Sequence, residues 1–310
     1  MNPTIIPKSL RIADAQFRET YLFSNGHEVP VFEVYSMHAL NQIIGHAKFN
    51  NRHYGNVYYR GQCELYDKLL PSLFRNCRRV SKVTTGLMKV VKSIIADAPL
   101  SNELKVSSVD MPHSVIKVEG ILQHYGAPTR YLDLVDNHWV ALWMGNNRYE
   151  VKKIKNKYCH FVPRTVCLGD YVCGGNPIPA KDTDIYQYIL LLSLPTPTNT
   201  TEGIAESNQH VLVDLRQALP SVFLRPHAQH GLVVKKKVKG ETSVDDYDMS
   251  SDVVGILKIR IDRATQWLGD GSLMTQENLF PPASIDHGYD VLLSRKDIFS
   301  QPKFEIAMYY

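Results

Sequence analysis

Three short stretches gather the side chains best able to do chemistry. "YYRGQCELYDKLLPSLFR" carries Arg60, Gln62 and Arg75, "LQHYGAPTRYLD" carries Gln123, His124, Tyr125, Arg130 and Asp133, and "FLRPHAQHGLVV" carries Arg225, His227, Gln229 and His230. Each is a polar cluster between apolar elements, and each holds a glycine that lets another chain or a ligand come close. In the first, Val57, Tyr58 and Tyr59 favour a pleated strand whose end presents Arg60 beside Gly61. Such an end can bring a guanidinium and bare backbone to one anionic ligand. Structural readings stand beside these: Arg60 as a surface residue closing a strand, Arg130 and Asp133 as a pair across one helical turn, His124 as a core histidine bonded to backbone.

Other chemistries have little to stand on. The chain has no G-x-x-x-x-G-K-[ST], no G-x-G-x-x-G after a strand, no H-E-x-x-H and no G-x-S-x-G. Only His227 and His230 offer an i, i+3 pair for a metal, so no metal site is expected. Five cysteines at 63, 77, 159, 167 and 173 are odd in number and never spaced C-x-x-C, which fits reduced thiols in a cytoplasm. No secretory signal opens "MNPTIIPKSL", and no apolar run reaches membrane-spanning length, so a membrane partner is not expected.

The elements that must position these clusters follow from periodicity. "VPVFEVYS" (29–36) reads as a strand and "MHALNQIIGHAKF" as an amphipathic helix; the strand ending at Arg60 follows, then a helix over 87–98. After the "APTR" turn, "LVDNHWVALWMG" resumes a helical apolar pattern. Beyond 160 the texture is β, with strands expected at 186–194, 210–215, 231–238 and 253–261. The fold class is therefore α+β, helices in the N-terminal half and mainly antiparallel sheet in the C-terminal half. One domain is expected over residues 50–295, with an N-terminal extension at 1–49 and a C-terminal segment at 296–310.

Charge is unevenly placed. The net charge of +4 is mild, yet Arg148, Lys152, Lys153, Lys155, Lys157 and Arg164 stand against Glu150 alone, with Tyr149, Tyr158 and Phe161 interleaved. Such a stretch can neutralise phosphates and stack bases, and the run 235–239 adds four lysines. A solvated lysine-rich face and a basic hairpin turn account for the same residues.

"YYRGQ…LLPSLFR", "LQHYGAPTRYLD…ALWM", "FLRPHAQHGLVV" and "NLFPPASIDHG" resemble the successive motifs of the FRG domain, from about residue 50 to about 290. Tyr59 stands where that family has its naming phenylalanine, and Val135 where a threonine is usual. The resemblance implies a bacterial protein linked to phage defence or toxin–antitoxin systems, with an antitoxin as a partner. The aromatic-Arg-Gly strand end is also similar to the first motif of arginine-type ADP-ribosyltransferases, which implies such a core with NAD as the substrate. On that likeness Arg60 grips the phosphates beside Gly61 and Gln62, and Tyr59 or Tyr125 stacks the nicotinamide. Arg130 and Asp133 line the site, and His124 orients a ribose or acts as a base. Gln229 sits where the family has its catalytic glutamate, with Glu277 or Glu305 as substitutes for the missing charge. The acceptor implied by the basic stretch is nucleic acid, RNA before DNA. A non-catalytic nucleotide-binding or nucleic-acid-binding module and a metal-independent nuclease are the other functions this sequence accommodates.

Overall fold

A computed structural model describes residues 2–153, 157–165, 172–173, 176–177, 185–240, 243–295, 298 and 304–309. In chain order the strands are β1 (Ala15–Leu22), β2 (Glu28–Val34), β3 (Gly55–Gln62), β4 (Leu132–Val135), β5 (Asn147–Lys153), β6 (Lys157–Pro163), β7 (Val172–Cys173) and β8 (Asn176–Pro177). They continue as β9 (Tyr186–Pro195), β10 (Asn199–Thr201), β11 (Ile204–Glu206), β12 (His210–Asp214), β13 (Gly231–Lys236), β14 (Val253–Arg260) and β15 (Met308–Tyr309). The helices are α1 (Met37–Asn51), α2 (Val80–Ala96), α3 (Ala98–Glu103), α4 (Pro112–His124), α5 (His138–Asn146), α6 (Leu215–Ala218), α7 (Leu224–Ala228), α8 (Ile261–Trp267), α9 (Gln276–Leu279) and α10 (Gly288–Leu293).

One ten-stranded sheet runs β1-β2-β14-β9-β3-β4-β13-β12-β11-β10, and only its β2–β14 pair is parallel. The α+β class is as the pattern implied. At the centre β9, "YQYILLLSLP", is buried from Gln187 to Leu194. Its unbroken apolar run suits a strand covered on both faces, flanked here by β14 and β3. One core packs Val57, Tyr59, Val135, Ile189 and Leu191 against Leu40 and Ile43 of α1, Val91 of α2, Ile121 of α4 and Leu142 of α5. The other face buries Leu132, Leu134, Leu190, Leu192 and Leu232 with Leu69 and Met249. Alternation along β3 therefore sends Tyr59 to the helical side and Tyr58 and Arg60 to the side roofed by the 63–75 segment.

Three expectations need correcting. Residues 1–49 are not an appendage: β1 pairs with β2, β2 joins β14, and α1 packs into the main core. Helix α1 begins where Ser36 accepts a hydrogen bond from the Ala39 amide, an N-cap the sequence places just ahead of the apolar run. Helix α2 starts at Val80, seven residues before the apolar stretch that signalled it. The helical pattern expected over 134–145 divides into the short strand β4 and α5, which Asn137 caps by accepting from the Trp139 amide.

Candidate functional site

Strand β3 lies between β9 and β4, and its last residues carry the "RGQ" triplet. Gly61 is needed for packing. A Cβ there would fall inside the backbone carbonyl of Ala141, so the missing side chain is what lets α5 lie against the strand. The expected close approach at Gly61 is by this helix. Tyr59 is buried at 1 % exposure beside His138, with Lys48 over its ring, and is a core residue; it offers no face to a ligand.

Arg60 is half-buried. Its Nη1 donates to the Asp133 carbonyl at 2.8 Å, and with the Gln62 amide turned so that its oxygen faces the guanidinium, Oε1 accepts from Nε at 3.1 Å. Burial pulls Arg60 down to about 10, the positive charge of Arg75 adds to the effect, and Asp133 opposes it. Arg75 is exposed and donates from Nε to the Leu70 carbonyl at 3.2 Å. Among the described residues no carboxylate is hydrogen-bonded to either guanidinium. Tyr66, half exposed on the same segment, is pushed up to about 12 by burial and by its bond to Glu64, against the pull of Arg75. The end of β3 and the segment after it therefore hold two guanidinium groups, an open aromatic ring and an exposed carboxylate. Sequence reading passed over Glu64 and Tyr66; an aromatic flanked by acids, "ELYD", directly behind the strand end was their only signal.

Asp133 sits across from this strand end on β4. Its Oδ2 accepts from Gln123 Nε2 at 2.6 Å, while Gln123 Oε1 accepts from Thr129 Oγ1 at 2.6 Å and Thr129 Oγ1 accepts from the Tyr131 amide at 3.1 Å. This chain of bonds fixes the "APTR" turn against α4. Burial raises the Asp133 carboxyl, and Arg60, Arg225 and Arg75 all act in the opposite direction.

The remaining predicted site residues are committed elsewhere. Arg130 and Asp133 do not pair: Arg130 reaches Glu119 with Nε at 2.9 Å and Nη2 at 2.7 Å, and Lys235 joins at 3.1 Å. Burial would raise Glu119, but Lys235 and Arg130 overcome it and hold the carboxylate down at about 2. His124 is buried over Gly231, where an added Cβ would meet its Cε1 at 2.6 Å. Burial, aided by Arg225, takes His124 down to about 3, so the ring is neutral and enclosed, poorly placed to exchange a proton with a ligand. Tyr125 is fully buried, donates to Asp286 Oδ2 at 2.6 Å and packs edge-on against Tyr289 and Phe223. Asp286 Oδ1 also accepts from the amides of Leu224 and Gly288, so the "SIDHG" motif is an anchor for α7 and α10. Gln229 is buried and donates to the Leu279 carbonyl at 2.7 Å. Glu277 is exposed on α9 and Glu305 half-buried.

Thus Arg60, Gln62 and Asp133 come together, and His124, Tyr125 and Gln229 form an enclosed cluster around Arg225, whose guanidinium lies over Tyr125 and Phe280. Of the basic stretch, Arg148 is exposed on β5, which pairs with β6 so that Glu150 faces His160. The side chains of Lys152, Lys153 and Lys157, and the whole of Lys155, lie outside the described residues. No helix is long and apolar enough to cross a membrane among the described residues.

No curated protein and no solved structure matches this chain. A family model does match, from the first residue of β3 to the last of β5, and so takes in the strand-end arginine and the "APTR" turn but neither of the two later motifs. The matching model is that of the FRG domain, and the match spans residues 55–153.

Proposed function

We propose that this protein binds NAD at the end of β3 and acts on it as an ADP-ribosyltransferase, with Arg60 and Arg75 on the pyrophosphate. The observation that supports this is the desolvated Arg60 beside a second guanidinium, with no carboxylate bonded to either. Two like charges held together are stabilised by a dianion, and bidentate guanidinium geometry suits phosphate oxygens. Tyr66 offers a ring for stacking, and Glu64 supplies the negative charge that Gln229 cannot. In the reaction the C1′–nitrogen bond of NAD breaks and nicotinamide leaves with the electron pair. Glu64 stabilises the ribosyl cation, and the acceptor forms the new bond to C1′ and releases a proton. The basic stretch around Arg148 favours a nucleic-acid acceptor, RNA before DNA. A role as a toxin or phage-defence effector, restrained by an antitoxin, follows from the family resemblance.

One observation favours a second reading. Gln229 is fixed to the Leu279 carbonyl, so if Glu64 does not serve, the same guanidinium pair makes a non-catalytic nucleotide-binding module. Incubation with NAD labelled in the adenylate, together with total RNA, DNA or protein, separates the two. Label transfer or nicotinamide release is the expected result. Saturable NAD binding with neither would select the binding module, and no binding at all would end both. If RNA is the acceptor, replacing Lys152, Lys153, Lys155 and Lys157 by glutamine should weaken transfer and leave nicotinamide release intact.

A further inference from the structure

Helix α2 and the segment before it carry charge of one sign only. Between Asp67 and Asp97 stand seven of the chain's 35 basic residues and none of its 31 acids. Lys68 is paired with Asp245. The other six, Arg75, Arg78, Arg79, Lys82, Lys89 and Lys92, are exposed, and among the described residues none of them has a carboxylate partner. Asp97, which closes the run, is held by Arg295 and accepts from the Leu100 amide to cap α3. Within α2 the side chains of Thr84, Leu87, Val91 and Ile94 are buried. Lys82, Lys89 and Lys92 therefore emerge together on the opposite face, with Ser81, Thr85 and Ser93 exposed between them. At 1.5 Å per residue, Lys82 to Lys92 covers about 15 Å of the helix axis.

Some of these charges also sit at the unfavourable end of the helix. Helix α2 starts at Val80 with no side-chain cap and no acid in its first turn, and Arg79 and Lys82 are the charged residues there. Backbone dipoles already make that end positive, so the two side chains oppose it, and a bound anion relieves the opposition. The last turn, where a cation would be favoured, holds none. The chemistry of the exposed face narrows the kind of anion. It presents lysines and hydroxyls, the groups that take phosphate oxygens, and no large apolar side chain to enter a lipid surface. Nor does it present an aromatic ring to anchor a protein partner or to stack a base.

We infer that the run from Arg75 to Lys92 binds the phosphate backbone of a nucleic acid without regard to base sequence. This deepens the nucleic-acid half of the proposed function, on which it rests, and needs nothing from NAD. Arg75, the second guanidinium near the end of β3, is the first residue of the run, so the backbone track begins where the proposed site lies.

The test is fluorescence anisotropy of the full-length protein with a labelled mixed-sequence RNA strand and, separately, a DNA duplex, each across a salt series. Saturable binding of at least one is expected. Changing Lys82, Lys89 and Lys92 together to glutamine should weaken it roughly tenfold or more and flatten the log–log salt slope for single strands by about 2. Arginine at the same three positions should keep the affinity of wild type. Changing Lys8, Arg11 and Arg52 to glutamine removes the same charge from exposed positions outside the run and should leave affinity within about threefold. Circular dichroism melting of each variant checks that it is folded. Equal loss in the two glutamine triples would reduce the effect to net charge and overturn the inference. A folded α2 variant that binds as wild type does would overturn it too; loss on replacing Lys152, Lys153, Lys155 and Lys157 would then place the nucleic acid on the Arg148 stretch and leave the proposed function standing. If neither nucleic acid binds, or only phosphatidylserine vesicles do, the inference is wrong, and nicotinamide release by the same protein judges the NAD reading separately.

Discussion

Replacing Arg60 by alanine separates a ligand-binding role from a structural one. On the structural side, the side chain contributes a bond to the Asp133 carbonyl and one to Gln62. A charged donor to a carbonyl contributes about 1.5–3 kcal/mol when it is well made. Against that stands the cost of holding the charge: the fall from an ordinary 12.5 to about 10 reflects an environment that disfavours it. At about 1.4 kcal/mol per unit, a fully enclosed group would lose roughly 3 kcal/mol, and partial exposure reduces this. The two contributions nearly cancel, so Arg60→Ala should leave the melting temperature within a few degrees of wild type. The ligand side has no such cancellation. Removing a bidentate guanidinium–phosphate interaction costs about 1.5–3 kcal/mol, a rise in Kd of roughly 10- to 150-fold. Titration of NAD and of ADP-ribose into both proteins, with melting curves alongside, gives the two numbers. A large fall in melting temperature with unchanged affinity would refute the assignment and make Arg60 a strut between β3 and β4.

Glu64→Gln should abolish nicotinamide release while leaving NAD affinity within about threefold, since the exposed carboxylate acts on the ribosyl cation and not on the phosphates; equal turnover in a nicotinamide assay would exclude it. Gly61→Ala should destabilise by several kcal/mol, because the new methyl group meets a backbone carbonyl of α5 that has nowhere to go, and loss of folded protein on expression is the readout. Tyr125→Phe leaves buried Asp286 short of one donor and should cost about 1–3 kcal/mol in denaturant unfolding with NAD affinity unchanged, whereas weaker NAD binding would return Tyr125 to the ligand site. Acid should destabilise the fold through two groups. Buried His124 titrates near 6.5 when unfolded and at about 3 when folded, so the unfolded chain takes the proton first and stability falls as pH drops through that window. Glu119 adds a loss between about 4.5 and 2, where its folded carboxylate finally protonates. Melting temperature against pH, compared in His124→Gln, should lose its slope between pH 6 and 4 but keep the lower one.

How far the chain could be read depended on whether local pattern and tertiary setting agreed. Strands β2, β9, β12, β13 and β14 are apolar enough to announce themselves, and α1 adds a serine cap to its helical spacing. Strand β1, "AQFRETYL", lies at the sheet edge with half its residues exposed, so its polar side chains disguised it until β2 was there to pair with. Strand β4 has only four residues ahead of an apolar helix, too few for a period of two to show. The arginine at the end of β3 was readable because glycine beside it is unusual in a strand. Its companions Glu64, Tyr66 and Arg75 lie in a segment without regular structure, whose course is set by Leu69 beneath the sheet and by the Leu69 amide donating to Asp248. No local pattern encodes that bond, which spans 179 positions.

The partners each side chain has found narrow where chemistry can happen. Residues that stood out as catalytic by type are mostly the fasteners of the domain. Gly61 admits α5, His124 seats on Gly231, Tyr125 and Asp286 tie α4 to α7 and α10, Gln229 holds the segment before Phe280, and Arg130 neutralises a buried glutamate with Lys235. Every one of these polar groups is paired inside the protein or enclosed by it, and a ligand reaching any of them would first have to displace a native neighbour. At the end of β3 the balance is reversed. Arg60 is desolvated without a bonded carboxylate, Arg75 adds a second positive charge, and Tyr66 and Glu64 face solvent beside them. A half-buried positive charge that Asp133 offsets from a distance and no carboxylate hydrogen-bonds is disfavoured by its surroundings, and a bound phosphate would relieve it.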